Sequence, residues 1–500
     1  MSVPVTASML YDLVTCPHRV TMDIFADPVE RDAPNAFVEL LWERGSLYEK
    51  EVMDGLDVPF TDLSIYAGEE KEQKTLEAML RGDALIYSGR IQAEGLLGDP
   101  DLLRRDGDAY TAGDIKSGAG EEGPEDLSKP KKHYAVQLGL YTDILVRKGL
   151  SAGRRAFIWD VNGEEVIYDF TRPQGERNPR TLWQDYQDYL SEAQAILENQ
   201  TQTLAAYGGV CKLCHWYSAC LKRLRETDDL TLIPELGRSK RDVLIGKVST
   251  IHALAQADPK AFIEGKKSIF PGIGPATLEK FHERAKLIAS GKDARPYLKA
   301  PVDLPDANLE LYFDIEVDPI RDICYLHGFV ERRDADNSTE RFVYFFAEEP
   351  TEEAEKDAFA RAWDYMRESQ PCVIYYYSKY ERTIYRKLRE KYPDVGTTEE
   401  LESLFDPSQA VDLYFDVVLK ITEWPTQDYS IKTLAKYLGF GWRDTHPSGA
   451  ASIEWFHRWI ESRDVAIRQR ILDYNEDDCR ATRILRDALS NLDVRTGEAA

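Results

Sequence analysis

The sequence predicts an α/β protein of several domains. Three observations carry that reading: the length, the alternation of helical and strand patterns, and two acid-bearing strand motifs set far apart. A chain of 500 residues at about 150 residues per domain allows roughly three domains, and a hydrophobic content of 43% supplies their cores. Residues 1–225 alternate helix and strand patterns and end just after a run of cysteines. Residues 226–292 read as short helices joined by Gly-containing turns, and 293–308, broken by Pro296, Pro301 and Pro305, read as a linker. Residues 309–500 open on Leu309-Glu310-Leu311-Tyr312-Phe313, a new core strand.

The net charge of -25 argues against a broadly basic nucleic-acid binder. Basic residues still gather locally: Lys129, Lys131 and Lys132; Arg238, Lys240 and Arg241; and a run from Lys379 to Lys391, each of which reads most simply as a solvated face. No run of about 18 apolar residues is present and the N-terminus lacks a signal-peptide pattern, so a cytoplasmic protein is expected. Of the seven cysteines, Cys324, Cys372 and Cys479 sit in apolar or helical contexts and read as small buried hydrophobes.

The other four are differently placed. Cys16 stands alone, and Cys211, Cys214 and Cys220 form a Cys-x2-Cys-x5-Cys run. Thiolates are soft ligands for iron-sulfur clusters or zinc, and the count, order and spacing fit a four-ligand cluster better than the paired spacings of structural zinc. A shared cluster would pin two distant stretches together.

Between them lies a first chemical constellation. Asp106-Gly107 reads as a two-residue hairpin turn, which would pair Arg105 with Asp108 and Asp101 with Ala112. Alternation then puts Asp101, Asp114 and Lys116 on one face, with Asp99 as an alternative first acid. Two carboxylates can hold Mg²⁺ or Mn²⁺ while the lysine orients the attacking water at a scissile phosphate. Gln137 and Tyr141 share a helix face, and Glu49 offers a further carboxylate on an upstream helix. With these residues the chain resembles the RecB-like, iron-sulfur branch of the PD-(D/E)XK nuclease superfamily. The resemblance implies a restriction-endonuclease-like core, metal ligands at Asp101, Asp114 and Glu49, catalytic roles for Lys116, Gln137 and Tyr141, and a 4Fe-4S cluster on Cys16, Cys211, Cys214 and Cys220.

A second constellation follows Leu309. Asp314 and Glu316 point to one side of a strand, and Tyr474 and Asp478 stack at i,i+4 in a helical pattern, with Ser430-Ile431-Lys432 between the two motifs. This part resembles the DEDD exonucleases of the RNase H-like fold, in which four acids bind two metal ions. The resemblance implies Asp314, Glu316 and Asp478 as ligands, Glu381 in Tyr377-Ser378-Lys379-Tyr380-Glu381 or Asp412 as the fourth acid, and Tyr474 as the residue that orients the attacking water.

Between the two, Phe270-Pro271-Gly272-Ile273-Gly274-Pro275 resembles a helix-hairpin-helix DNA-binding motif. There Gly272 and Gly274 would let backbone N–H groups approach a phosphate, and Leu232–Gly237 looks like a degenerate first copy carrying Glu235. The expectation is a metal-dependent DNA nuclease acting on ends or single strands, in repair or foreign-DNA processing. A nucleic-acid-binding scaffold with one or both sites inert, and an RNA-processing nuclease, are the alternatives.

Overall fold

A computed structural model describes residues 3–123, 128–175, 179–305 and 307–495. The chain forms two compact units, one comprising Met1–Ala205 and Gly209–Cys220, the other Ala206–Gly208 and Leu221–Ala500. Residues 226–292 lie within the second unit. Among the described residues no helix is long and apolar enough to cross a membrane.

The first unit is built on a six-stranded mixed sheet in the order Glu165–Asp169, Arg155–Trp159, Ala109–Ile115, Leu102–Asp106, Leu85–Tyr87 and Thr61–Asp62. Alternation along these strands makes two apolar faces. Leu103, Ala112 and Ile158 pack with Val136, Leu140 and Ile144 of the Lys132–Arg147 helix. Leu102, Ile115 and Phe157 pack on the other side with Met53 of the Ala36–Asp54 helix.

The central hairpin corrects the expected register. Asp106 pairs with Ala109 and Leu102 with Gly113, so the turn residues are Gly107-Asp108 and not Asp106-Gly107. Gly107 has φ +65° and Asp108 is not among the positive-φ residues. Glycine therefore takes the first central place, as a type II′ turn requires, and not the second. The partner shifts by two residues, which keeps every side chain on its expected face.

In the second unit a five-stranded sheet has the order Asp336–Phe346, Ile323–Arg333, Leu309–Asp318, Val373–Tyr376 and Ala410–Asp412. The first three strands are antiparallel neighbours, and the last two run parallel to Leu309–Asp318. Phe313 and Ile315 point into a core with Phe359, Trp363 and Tyr385. The alternate residue Tyr312 joins a core with Cys479, Leu485 and Leu489 of the Val465–Leu489 helix, so Asp314 and Glu316 share the face that this helix covers. Cys324, Cys372 and Cys479 are buried, as their contexts imply.

The stretch read as a linker is tied down: Tyr297–Leu298 pairs with Thr422–Glu423, and the Tyr375 hydroxyl donates to the Pro305 carbonyl at 2.9 Å. The basic runs are largely spent within the fold. Arg241 is buried against Asp229 at 2.8 Å, Arg382 and Arg386 share Glu402, and Lys391 meets Glu355 at 2.8 Å. Arg241 is thus a core ion pair and not part of a solvated face.

Candidate active sites

In the first unit, continuing the hairpin register sets Asp101 opposite Asp114. The Asp101 amide donates to Asp114 Oδ1 at 3.3 Å and the Ile115 amide to Asp101 Oδ2 at 2.9 Å. Lys116 Nζ stands 2.9 Å from Asp114 Oδ2 and 4.0 Å from Asp101 Oδ2. Burial, then the charge of Asp114, push the Asp101 carboxyl well above the usual carboxylate range, against the pull of Lys116. Burial disfavours the Lys116 ammonium, but the Asp114 and Asp101 charges outweigh it and hold the amine above its ordinary value.

Glu49 reaches the same pocket from the Ala36–Asp54 helix: its charge adds to the rise at Asp101, and it takes a hydrogen bond from Tyr87. Gln137 donates to the Tyr141 hydroxyl at 3.1 Å, which donates to the Asp99 carbonyl at 3.3 Å. Gly98 allows this, because a Cβ there would lie 2.5 Å from the Tyr141 ring. The Asp99 side chain is engaged elsewhere, 2.9 Å from Arg90, so Asp101, directly after Pro100, is the acid that faces Asp114. The structure therefore gathers Glu49, Asp101, Asp114, Lys116, Gln137 and Tyr141 in one place.

The cysteine segment packs on the N-terminal helices. Asp23, on the Pro17–Phe25 helix, accepts from Trp216 Nε1 at 2.9 Å and meets His215 Nε2 at 2.7 Å. Asp32 accepts from the Ser218 amide at 2.9 Å. Burial pushes the Cys214 thiol up, and the charges of Cys16 and Cys211 add to the rise. Among the described residues, the one group of three or more His, Cys, Asp or Glu ligand atoms that all lie within 4.8 Å of one another is Asp314, Glu316 and Asp478, which leaves out both the four cysteines and the set Glu49, Asp101 and Asp114.

The Asp314 group is the centre of the second site. The Leu309–Asp318 strand supplies Asp314 and Glu316, and the Val465–Leu489 helix supplies Asp478. Burial, then the charges of Asp478 and Glu316, hold Asp314 well above the carboxylate range. Burial, then Asp478, push Glu316 up to about 8. Asn475 donates to Asp314 Oδ2 at 2.7 Å. It fits because the residue paired with Asp314 is Gly328, where a Cβ would lie 1.6 Å from the Asn475 oxygen.

Glu381 is buried at the start of the Tyr380–Lys391 helix. Burial lifts it to about 8, with Asp412 adding to the rise, and its charge acts on Asp314. Ser378 precedes it with φ +140° and donates to Glu381 at 3.3 Å. That backbone region is costly for a non-glycine residue and is typical of functional loops. Asp412 instead caps the following turn, one of its oxygens accepting from the Tyr414 and Phe415 amides at 3.0 and 2.9 Å.

Three residues here were given no role by sequence reasoning, although Lys432 was noted between the two motifs. Lys432 Nζ donates to the Tyr474 hydroxyl at 2.8 Å and to Asp478 Oδ2 at 3.0 Å, and Trp442 Nε1 donates to Asp478 Oδ1 at 2.6 Å. Asn475 is the third, and its i,i+3 spacing to Asp478 would have found it. The Tyr474 ring stands edge-on to Trp455 at 5.9 Å, and its hydroxyl accepts from Lys432 beside Asp478.

Gly272, with φ +76°, and Gly274, the N-cap of the Pro275–Ala289 helix, stand where the sequence placed them. The segment before Phe270 is a two-stranded hairpin, Ile263–Glu264 with Lys267–Ser268, and not the first helix of the expected motif. Glu235 is not aimed at a phosphate but meets Arg284 at 2.6 Å and Lys280 at 3.2 Å.

Family comparisons agree with this geometry. A model of the PD-(D/E)XK nuclease superfamily matches residues 18–221, a span that holds every acid of the first site. A model of the RNase_H superfamily matches residues 311–490, from the first acidic strand of the second site to beyond Asp478. No curated protein matches the sequence. The chain thus carries a PD-(D/E)XK nuclease superfamily domain in its N-terminal part and an RNase_H superfamily domain in its C-terminal part.

Proposed function

We propose that this protein is a metal-dependent DNA nuclease with two active sites, acting on ends or single strands in DNA repair or foreign-DNA processing. The observation that carries it is the crowding of Asp314, Glu316 and Asp478 within 4.8 Å. Crowded carboxylates repel one another and resist ionisation, and a bound cation would relieve the repulsion that Lys432 offsets only in part. An all-oxygen donor set suits Mg²⁺ or Mn²⁺. Bound there, and at Asp101, Asp114 and Glu49, such ions would polarise the scissile phosphate and lower the pKa of an attacking water.

The chain's own groups do the rest. At the second site Glu381 completes the acids, while Lys432 fixes the Tyr474 hydroxyl and one oxygen of Asp478, so that Tyr474 can orient water. At the first site Lys116 keeps its proton beside Asp114 and presents a cation toward the phosphate, and Gln137 and Tyr141 hold the hairpin in place. Gly272 and Gly274 offer exposed backbone for sequence-independent phosphate contact.

We read Cys16, Cys211, Cys214 and Cys220 as ligands of a 4Fe-4S cluster. The count, order and spacing of the four cysteines carry this reading, and the charges of Cys16 and Cys211 acting on Cys214 are in keeping with it.

The test is cleavage of labelled single- and double-stranded DNA and RNA with Mn²⁺ or EDTA, by wild type, Asp114→Asn, Asp314→Ala and the double variant. Wild type should cut DNA only with Mn²⁺, each single variant should lose one activity, and the double variant should be inert. Equal cleavage by wild type and double variant, or none by wild type, would overturn the reading.

A further inference from the structure

Beside the first site lie three rings that the nuclease reading leaves unused. Tyr11 sits on the Ala7–Thr15 helix, and His133 and Tyr134 open the Lys132–Arg147 helix. The Tyr11 and His133 ring centroids are 4.8 Å apart, His133 and Tyr134 4.4 Å, and Tyr11 and Tyr134 6.3 Å. Packing between the two helices accounts for part of this cluster. It does not account for Tyr11 being 36% exposed.

The charges around the rings are also informative. Lys116 Nζ, the cation of the site, stands 5.8 Å from the Tyr134 ring centre, and Lys131 Nζ stands 5.4 Å from it. Lys129 and Lys132 are taken by Glu122 and Asp185, whereas Lys131 lies over the ring. Burial raises the Tyr11 phenol while Lys116 acts in the opposite sense, and burial and then Lys131 lower the His133 imidazole. The wall is therefore aromatic, uncharged at neutral pH and edged by two cations.

We propose that Tyr11, His133 and Tyr134 form a stacking wall for the unpaired bases of a single-stranded nucleic acid whose backbone passes Lys131 and Lys116. Ring faces accept any base without reading its hydrogen-bond edge, while lysines take the phosphates. A paired base keeps its faces within the duplex and gains nothing here. The proposal rests on the nuclease reading of the first site and names the form of its substrate.

Binding separates the two ideas, because it can be read in EDTA without cleavage. Full-length wild type and Tyr11→Ala would be titrated by fluorescence anisotropy with a short single strand, the same strand with abasic residues, and a blunt hairpin duplex. Stacking of one base predicts that Tyr11→Ala weakens single-strand binding between about five- and 150-fold. Tyr11→Phe should restore it, and binding of the abasic strand and the duplex should not change. A single strand carrying 5-bromodeoxyuridine should photocrosslink to the peptide containing Tyr11 or to that containing His133 and Tyr134. Crosslinks only elsewhere, or a Tyr11→Ala loss equal for normal and abasic strands, would overturn the wall. A peptide or protein competing for the wall with no effect of base removal would do the same. If crosslinking persists while Asp114→Asn cleaves like wild type, the wall stands and the first active site does not.

Discussion

Lys432 is the residue on which the second site turns, because one ammonium holds both the Tyr474 hydroxyl and Asp478. Tyr474→Phe removes the hydroxyl and keeps the ring against Trp455. Cleavage by the second site, measured in an Asp114→Asn background, should therefore slow by at least about tenfold, with an unchanged melting temperature. A fall in melting temperature with an unchanged rate would assign Tyr474 to packing alone. Lys432→Met removes a positive charge from a cluster of acids. Mn²⁺ should then bind more tightly by calorimetry while that cleavage slows, since attraction for the ion rises as the positioning of Tyr474 is lost. Weaker Mn²⁺ binding would show that the lysine serves the ion and not the tyrosine.

At the scale of elements, the cysteine segment and the N-terminal helices are joined by Asp23 and Asp32, and the proposed cluster would add a second tie. Protein purified without oxygen should be brown, and Cys214→Ala should bleach it and lower the melting temperature of the first unit, because the cross-link closes a very long loop. Stoichiometric zinc without iron in anaerobic material would remove the cluster and leave the pin. The Ala7–Thr15 helix, C-capped by Cys16, carries Tyr11. Bleached protein should thus also bind single strands less tightly.

For the molecule as a whole, the buried acids set how stability responds to pH. Glu316 and Glu381 are held at about 8 against an ordinary 4.5, so between those values the folded chain keeps protons that the unfolded chain has given up. Their contribution is full below about pH 4.5 and declines as pH rises toward about 8 in metal-free protein. Mn²⁺ should offset the decline by binding the ionised folded form. Thermal melts in EDTA across this range should show the downward slope, Glu381→Gln should flatten it, and an identical slope in that variant would contradict the burial of an ionisable Glu381.

The sequence by itself determined the parts of each site that depend on local geometry. A strand repeats every two residues and a helix every three or four, so Asp314 with Glu316, Tyr474 with Asp478, Gln137 with Tyr141, and Asp114 with Lys116 were legible from spacing. The hairpin faces survived even a misplaced turn, because moving glycine from the second to the first turn position shifts the pairing by an even number. The tertiary structure alone decided what depends on distant chain segments meeting. It brought Lys432 and Trp442 onto Asp478, sent Asp99 to Arg90 and left Asp101 beside Asp114, and gave Asp412 a capping role while the charge of Glu381 acts on Asp314. It also buried Arg241 and turned Glu235 toward Arg284. No local period encodes those meetings, because they follow from how two apolar sheet faces are covered and from the need of every buried charge for a partner.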